Sequence, residues 1–177
     1  TPSSFDRTVE PPYCDSPQVK VPDIWEEDLS NGLEIYWITN SEVPLVQFML
    51  EIKGGLLLED ASKIGVSNLL ANLMTKGTKN KTPQELEEAI ELLGASIRVN
   101  ATDEKIIISG STLSKNYEET MALVEEILLE PRWDAEEFEL TKKQVISRIQ
   151  QQKASPNNIA AKEFKKLIYG TTHILSH

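Results

Sequence analysis

Cysteine is almost absent from this chain, and so is histidine. The single cysteine, Cys14, excludes an internal disulfide framework and a cysteine-built zinc centre. The two histidines, His173 and His177, stand four apart and could share a helix face as metal ligands do, but beyond Gly170 the sequence reads as loop. No apolar run approaches the roughly 18 residues of a membrane-spanning helix. Positive charge is also scarce. With 18 Lys and Arg against 28 Asp and Glu, the formal net charge is −10. A nucleic-acid partner would need a basic stripe, so that class is set aside. No glycine-rich phosphate loop and no G-x-S-x-G nucleophile turn occurs. No signal peptide is visible, and a start at Thr1 with an end inside Thr172–His177 reads as a piece of a longer chain.

What remains is ordinary globular material: 177 residues, 40% hydrophobic and 26% charged, enough for one domain with a real core. Residues 1–28 read as a proline-rich arm or linker, because Pro2, Pro11, Pro12, Pro17 and Pro22 block helix and favour extended backbone. A domain over 29–177 follows. Strands are expected near 33–39, 45–53, 95–100 and 104–111. The run Ile106-Ile107-Ile108 suggests burial on both faces. A helix from about Ser62 to Thr75 carries Leu69, Leu70, Leu73 and Met74 on one face and Asn68, Ala71, Asn72 and Thr75 on the other. Thr82-Pro83-Gln84-Glu85 predicts a capping box opening a helix that packs through Leu86, Ala89, Ile90 and Leu93 and stops at Gly94. Glu85, Glu87, Glu88 and Glu91 read as a solvated face of that helix. Further helices are expected from about Lys115 to Leu129 through Tyr117, Met121, Val124 and Leu128, and from Asp134 through Phe138, Thr141, Val145 and Ile149. After a break at Ser155-Pro156, another holds Ile159, Phe164, Leu167 and Ile168. Paired strands with long helices between them make an α+β fold, a single mainly antiparallel sheet with helices on one face.

The stretch Gly65-Val66-Ser67-Asn68-Leu69-Leu70-Ala71-Asn72-Leu73-Met74-Thr75-Lys76-Gly77-Thr78 resembles the zinc helix of the insulinase–pitrilysin peptidases, roughly Gly-x-x-His-x-x-Glu-His-x-x-x-Lys-Gly-Thr. The frame is present and the reactive groups are not. Asn68 stands at the first His, Ala71 at the Glu and Asn72 at the second His. A catalytic zinc needs three protein ligands of thiolate, imidazole or carboxylate type plus a water. An Asn carboxamide is a poor zinc ligand, and alanine cannot deprotonate water. The family's third ligand is a Glu on a later helix. The best register puts Arg148 there, with Ser147 the neighbouring choice, and no Asp or Glu occurs from Leu140 through Lys162.

Leu29-Ser30-Asn31-Gly32-Leu33, Lys53-Gly54-Gly55, Leu92-Leu93-Gly94-Ala95-Ser96 and Leu129-Glu130-Pro131 resemble other family landmarks in family order. The leader Asp6-Arg7-Thr8-Val9-Glu10-Pro11-Pro12 looks like the joint that opens a second half in bacterial members. The resemblance implies the first domain of a non-catalytic half. It binds no cofactor itself, with zinc in a catalytic half on the same chain or on a partner subunit, and it touches peptide substrate indirectly. It also implies a loop of His-Pro type near His173. Export to a bacterial periplasm rests on the same analogy. A scaffold without a peptidase partner, similar to core subunits of respiratory complexes, is the alternative.

Overall fold

The computed structural model describes residues 21–176 together with Thr8 and Gln18; Cys14, His177 and most of the proline-rich arm lie outside the described residues. The chain divides into two compact units, Thr1–Val43 and Pro44–His177. In the first, β1 (Trp25–Asp28) pairs antiparallel with β2 (Glu34–Trp37) in a hairpin closed by the Asn31-Gly32 turn, where Asn31 accepts the Leu33 N–H. Trp25 and Trp37 stack across it with ring centroids 6.5 Å apart. The last residues of the expected arm are therefore a strand, and the strand expected over 33–39 is limited to 34–37.

The second unit holds a three-stranded antiparallel sheet of β3 (Leu45–Lys53), β4 (Ser96–Ala101) and β5 (Lys105–Leu113), in the order β3-β5-β4. The pairing sets Leu50 and Val99 on either side of Ile108. Alternation then does the sorting, since side chains two apart share a face. Val46, Phe48, Leu50 and Ile52 turn inward along β3, while Met49 is 65% exposed on the other side. Only Ile108 of the isoleucine run is fully buried; Ile106 and Ile107 are half-buried, so burial on both faces is not what the sheet shows.

Helices cover the inner face: α1 (Val66–Met74), α2 (Pro83–Leu92) and α3 (Tyr117–Leu129). The core gathers Ala71, Met74, Leu86, Val99, Ile108, Leu123, Val124 and Ile127. The expected capping box of α2 is present, with Thr82 and Glu85 bonded reciprocally. The buried stripe of α3 runs Thr120, Leu123, Val124 and Ile127, rotated from the expected one. Thr120 can face inward because its hydroxyl bonds the Thr112 hydroxyl and the Asn116 carbonyl. Asp134 caps α4 (Ala135–Gln152) by accepting from the Glu136 and Glu137 N–H groups. The break at Ser155-Pro156 opens α5 (Pro156–Tyr169) where expected. The result is an antiparallel α+β fold.

Candidate functional site: a zinc-peptidase helix without its ligands

The motif helix starts later than its periodicity suggests. Residues 62–65 form a turn, and Gly65 takes φ +103°, a left-handed value that a side chain would oppose. The helix begins at Val66, and its free N–H groups are met by a residue six positions upstream of Gly65. Glu59 accepts from the N–H of Gly65 and of Ser67, both at 2.6 Å. Burial pushes this carboxyl up, but the hydrogen bonds from the Ser67 hydroxyl and from the N–H groups of Ser67, Gly65 and Val66 outweigh it. The group sits below the usual carboxylate range.

Asn68 and Asn72 share a face one turn apart. The Asn72 carboxamide donates to the Asn68 carbonyl at 2.6 Å and to the Asn68 side-chain oxygen at 3.1 Å. Ala71 does not share that solvent-facing side, as the periodicity had it; it is 1% exposed and belongs to the core. The reason is that α1 packs against β4 on one flank and α4 on another, so two sides of the helix are covered.

Helix α4 is the expected home of the third ligand. Its one buried residue is Thr141, 3% exposed, whose hydroxyl has no hydrogen-bond partner among the described residues. Arg148 lies two turns on, within about 20° of Thr141 around the helix, while Ser147 lies about 120° from it. Helix phase thus supports Arg148 over Ser147 as the residue on the side of Thr141. Arg148 itself is exposed. Two carboxamides bonded to one another, a buried methyl group and a guanidinium are not a donor set for zinc. Among the described residues no group of three or more His, Cys, Asp or Glu is placed to hold a metal ion. His173 stacks on Tyr169 at 5.4 Å and accepts the Leu175 N–H through Nδ1.

The tail of the motif does structural work that sequence reasoning missed. Gly77 has φ +95°, and a Cβ there would lie 2.8 Å from the Lys81 carbonyl oxygen. Thr78, fully buried, donates its hydroxyl to Glu126 of α3 at 2.6 Å. Lys81 donates to the other oxygen of Glu126 at 2.6 Å, and Asn80 adds a bond at 3.0 Å. The Arg132 N–H reaches the Gly77 carbonyl, and Thr78 bridges Pro131. The Lys81 hydrogen bond, then that of Thr78, hold the Glu126 carboxyl below its ordinary range. The Lys-Gly-Thr signature was the available signal, but nothing in sequence pointed to position 126 as its anchor. Two open hollows, of about 420 Å³ on the outer sheet face near Arg98 and about 530 Å³ along α3 near Met121, include no motif residue. The motif, not cavity size, locates the site.

A helix-covered antiparallel sheet with this degenerate motif on its first long helix defines a metallopeptidase-like domain. The chain belongs to the insulinase family, peptidase family M16, whose family model matches residues 35–177. A non-peptidase homolog, YmxG, of Helicobacter pylori is 24% identical over 88% of this chain and 33% of its own length. A zinc protease of uncharacterized function from Rickettsia bellii is 23% identical over 80% of this chain and 34% of its own. Subunit 1 of the rat mitochondrial cytochrome b-c1 complex is 26% identical over 78% of this chain and 29% of its own. The chain thus spans about a third of the length of these relatives. In fold it is similar to the crystal structure of a peptidase M16 inactive domain from Pseudomonas fluorescens. That match has a TM-score of 0.81 at 23% identity, covering 88% of this chain and 38% of that one.

Proposed function

We propose that this chain is a catalytically silent M16 domain serving as part of the non-catalytic half of a clamshell metallopeptidase, where it helps to enclose peptide substrate. The observation that carries this reading is the split within the motif. Positions 68, 71, 72 and 148 hold no zinc ligand or base, while the glycine turn and Thr78 anchor around them are intact. Enclosure holds a peptide in register and excludes water without supplying a reactive group. Zinc and the attacking water would belong to the catalytic half. No helix among the described residues is long and apolar enough to cross a membrane.

The test is metal analysis after dialysis against micromolar zinc, with a peptide-library assay on the same preparation. The expected result is no retained zinc and no hydrolysis. Stoichiometric zinc near Asn68, or chelator-sensitive cleavage that survives purification, would refute the reading. A scaffold role without a peptidase partner is the second reading, favoured by the likeness to cytochrome b-c1 subunit 1. An intact H-x-x-E-H in the complete reading frame or a neighbouring gene supports the clamshell, and its absence from both supports the scaffold.

A further inference from the structure

The outer face of the three-stranded sheet is dished beside Arg98. The register sets Gln47, Ser111 and Ser96 in one row across the strands, and Met49, Ser109 and Arg98 in the next. All six lie on the side opposite buried Ile108, because side chains two apart share a face. The middle strand contributes only serines to these rows, so the bulk stands at the edges. A hollow of about 420 Å³ opens between Gln47 and Met49 on β3 and Arg98 on β4.

Most polar groups of this hollow are unspent. The Ser96 and Ser111 hydroxyls bond to one another at 3.0 Å. The side chains of Gln47, Arg98 and Ser109 have no hydrogen bond or ion pair among the described residues. No carboxylate lines the hollow. The next row along β3 brings Glu51, but Lys105 already holds it. On a chain of net charge −10, Arg98 thus offers a planar set of N–H donors with no acceptor in place.

We propose that this hollow is a subsite for the side-chain carboxylate of an acidic residue within a bound peptide. Arg98 donates to the carboxylate, Ser109 and Gln47 add hydrogen bonds, and Met49 packs on the aliphatic stem. This subsite rests on the reading of the chain as part of the wall around a peptide. The hollow is open and has no end wall to stop a chain, so it suits an internal residue rather than a C-terminus. One guanidinium balances one carboxylate. A phosphate dianion asks for a second cation, and Lys105, further along β5, is paired with Glu51. The chain's other acids act weakly here, since exposed charges beyond about 8–10 Å are largely screened at physiological salt.

Amide chemical shifts of the isotope-labelled whole chain read the site, titrated with two terminally blocked pentapeptides alike except for a central Glu or Gln. The Glu peptide should shift the amides of residues 96–98 and 109–111. It should bind about three- to tenfold more tightly than the Gln peptide, the scale of a charge-assisted pair at a partly exposed site. Arg98→Gln should abolish this preference, and Arg98→Lys should keep part of it, as a point charge without the planar fork. Ser109→Val fills the hollow at constant charge and should weaken the Glu peptide, with the rest of the spectrum unchanged. Equal binding of the two peptides, a preference that survives Arg98→Gln, shifts only elsewhere in the chain, or no shift at about 10 mM peptide would each overturn the proposal. So would tighter binding of inorganic phosphate, or a Gln peptide with a free C-terminus that binds as tightly as the blocked Glu peptide. Retained zinc or hydrolysis would speak against the silent domain and leave this titration unaffected; equal binding of both peptides speaks against the subsite alone.

Discussion

Ala71→Glu puts back the one motif residue whose position the structure makes hostile. The site is 1% exposed and surrounded by core side chains, Met74 and Val99 among them. Added volume in a packed core costs about 1–3 kcal/mol. An ionised carboxylate there adds several kcal/mol more unless it takes up a proton. The variant should therefore lose about 3–5 kcal/mol near pH 8, a large part of the roughly 5–15 kcal/mol that holds a typical domain folded. The penalty has a direction in pH. Burial raises the folded-state pKa of the new carboxyl above its unfolded value. The loss is then largest at high pH and relieved as pH falls, by up to about 1.4 kcal/mol per unit between the folded and unfolded values. Urea denaturation of variant and parent across pH 5 to pH 8 measures this difference directly. A variant as stable as the parent at pH 8, with no pH-dependent gap, would refute the reasoning and place position 71 next to water.

Other substitutions test the surroundings. Asn68→His/Asn72→His offers two ligands four apart and should bind zinc weakly; adding Arg148→Glu should tighten binding at least about tenfold by completing three. If Ser147→Glu does this instead, read by calorimetric titration, the register on α4 is off by one. Glu126→Ala leaves the buried Thr78 hydroxyl and the Lys81 ammonium without their shared acceptor and should cost about 2–3 kcal/mol in chemical denaturation. The Glu126 carboxyl titrates below its unfolded value of 4.5, so its contribution is present above that pH and fades as pH falls further. A gap between parent and Glu126→Ala that persists well into acid would contradict this. Glu59→Ala should cost about 1–2 kcal/mol and speed amide exchange in the first turn of α1; unchanged exchange at Gly65 and Ser67 would show that the cap is dispensable.

Local chemistry made much of the second unit legible in advance. The Thr82–Glu85 box, the Asp134 cap and the Ser155-Pro156 break each act over three or four residues, and all stand where the sequence put them. Misreadings came from relations across the fold. A helix covered on one side buries one stripe, but α1 is covered on two, and so Ala71 is interior although the period of the helix set it opposite Leu70. In α5 the apolar stripe was plain, yet periodicity cannot say whether a partner helix exists within the chain. The carboxylates that matter most to the motif, Glu59 and Glu126, lie outside it, one upstream of α1 and one on α3. The carboxamides at 68 and 72 were readable as missing ligands; their mutual hydrogen bond was not.

The hydrogen bonds around Gly77 and Thr78 separate two kinds of dependence. The bonds of this hasp involve none of the positions 68, 71, 72 and 148: it closes through a left-handed glycine, a threonine hydroxyl and the carboxylate of Glu126. The hasp therefore holds whether or not metal ligands stand at positions 68 and 72, whereas the buried position 71 is constrained by the core. Substitution at position 68 or 72 thus leaves the clasp between the end of α1 and Glu126 of α3 in place. The Lys-Gly-Thr that ends the helix is punctuation, and it works without the reagents that the family motif sets before it.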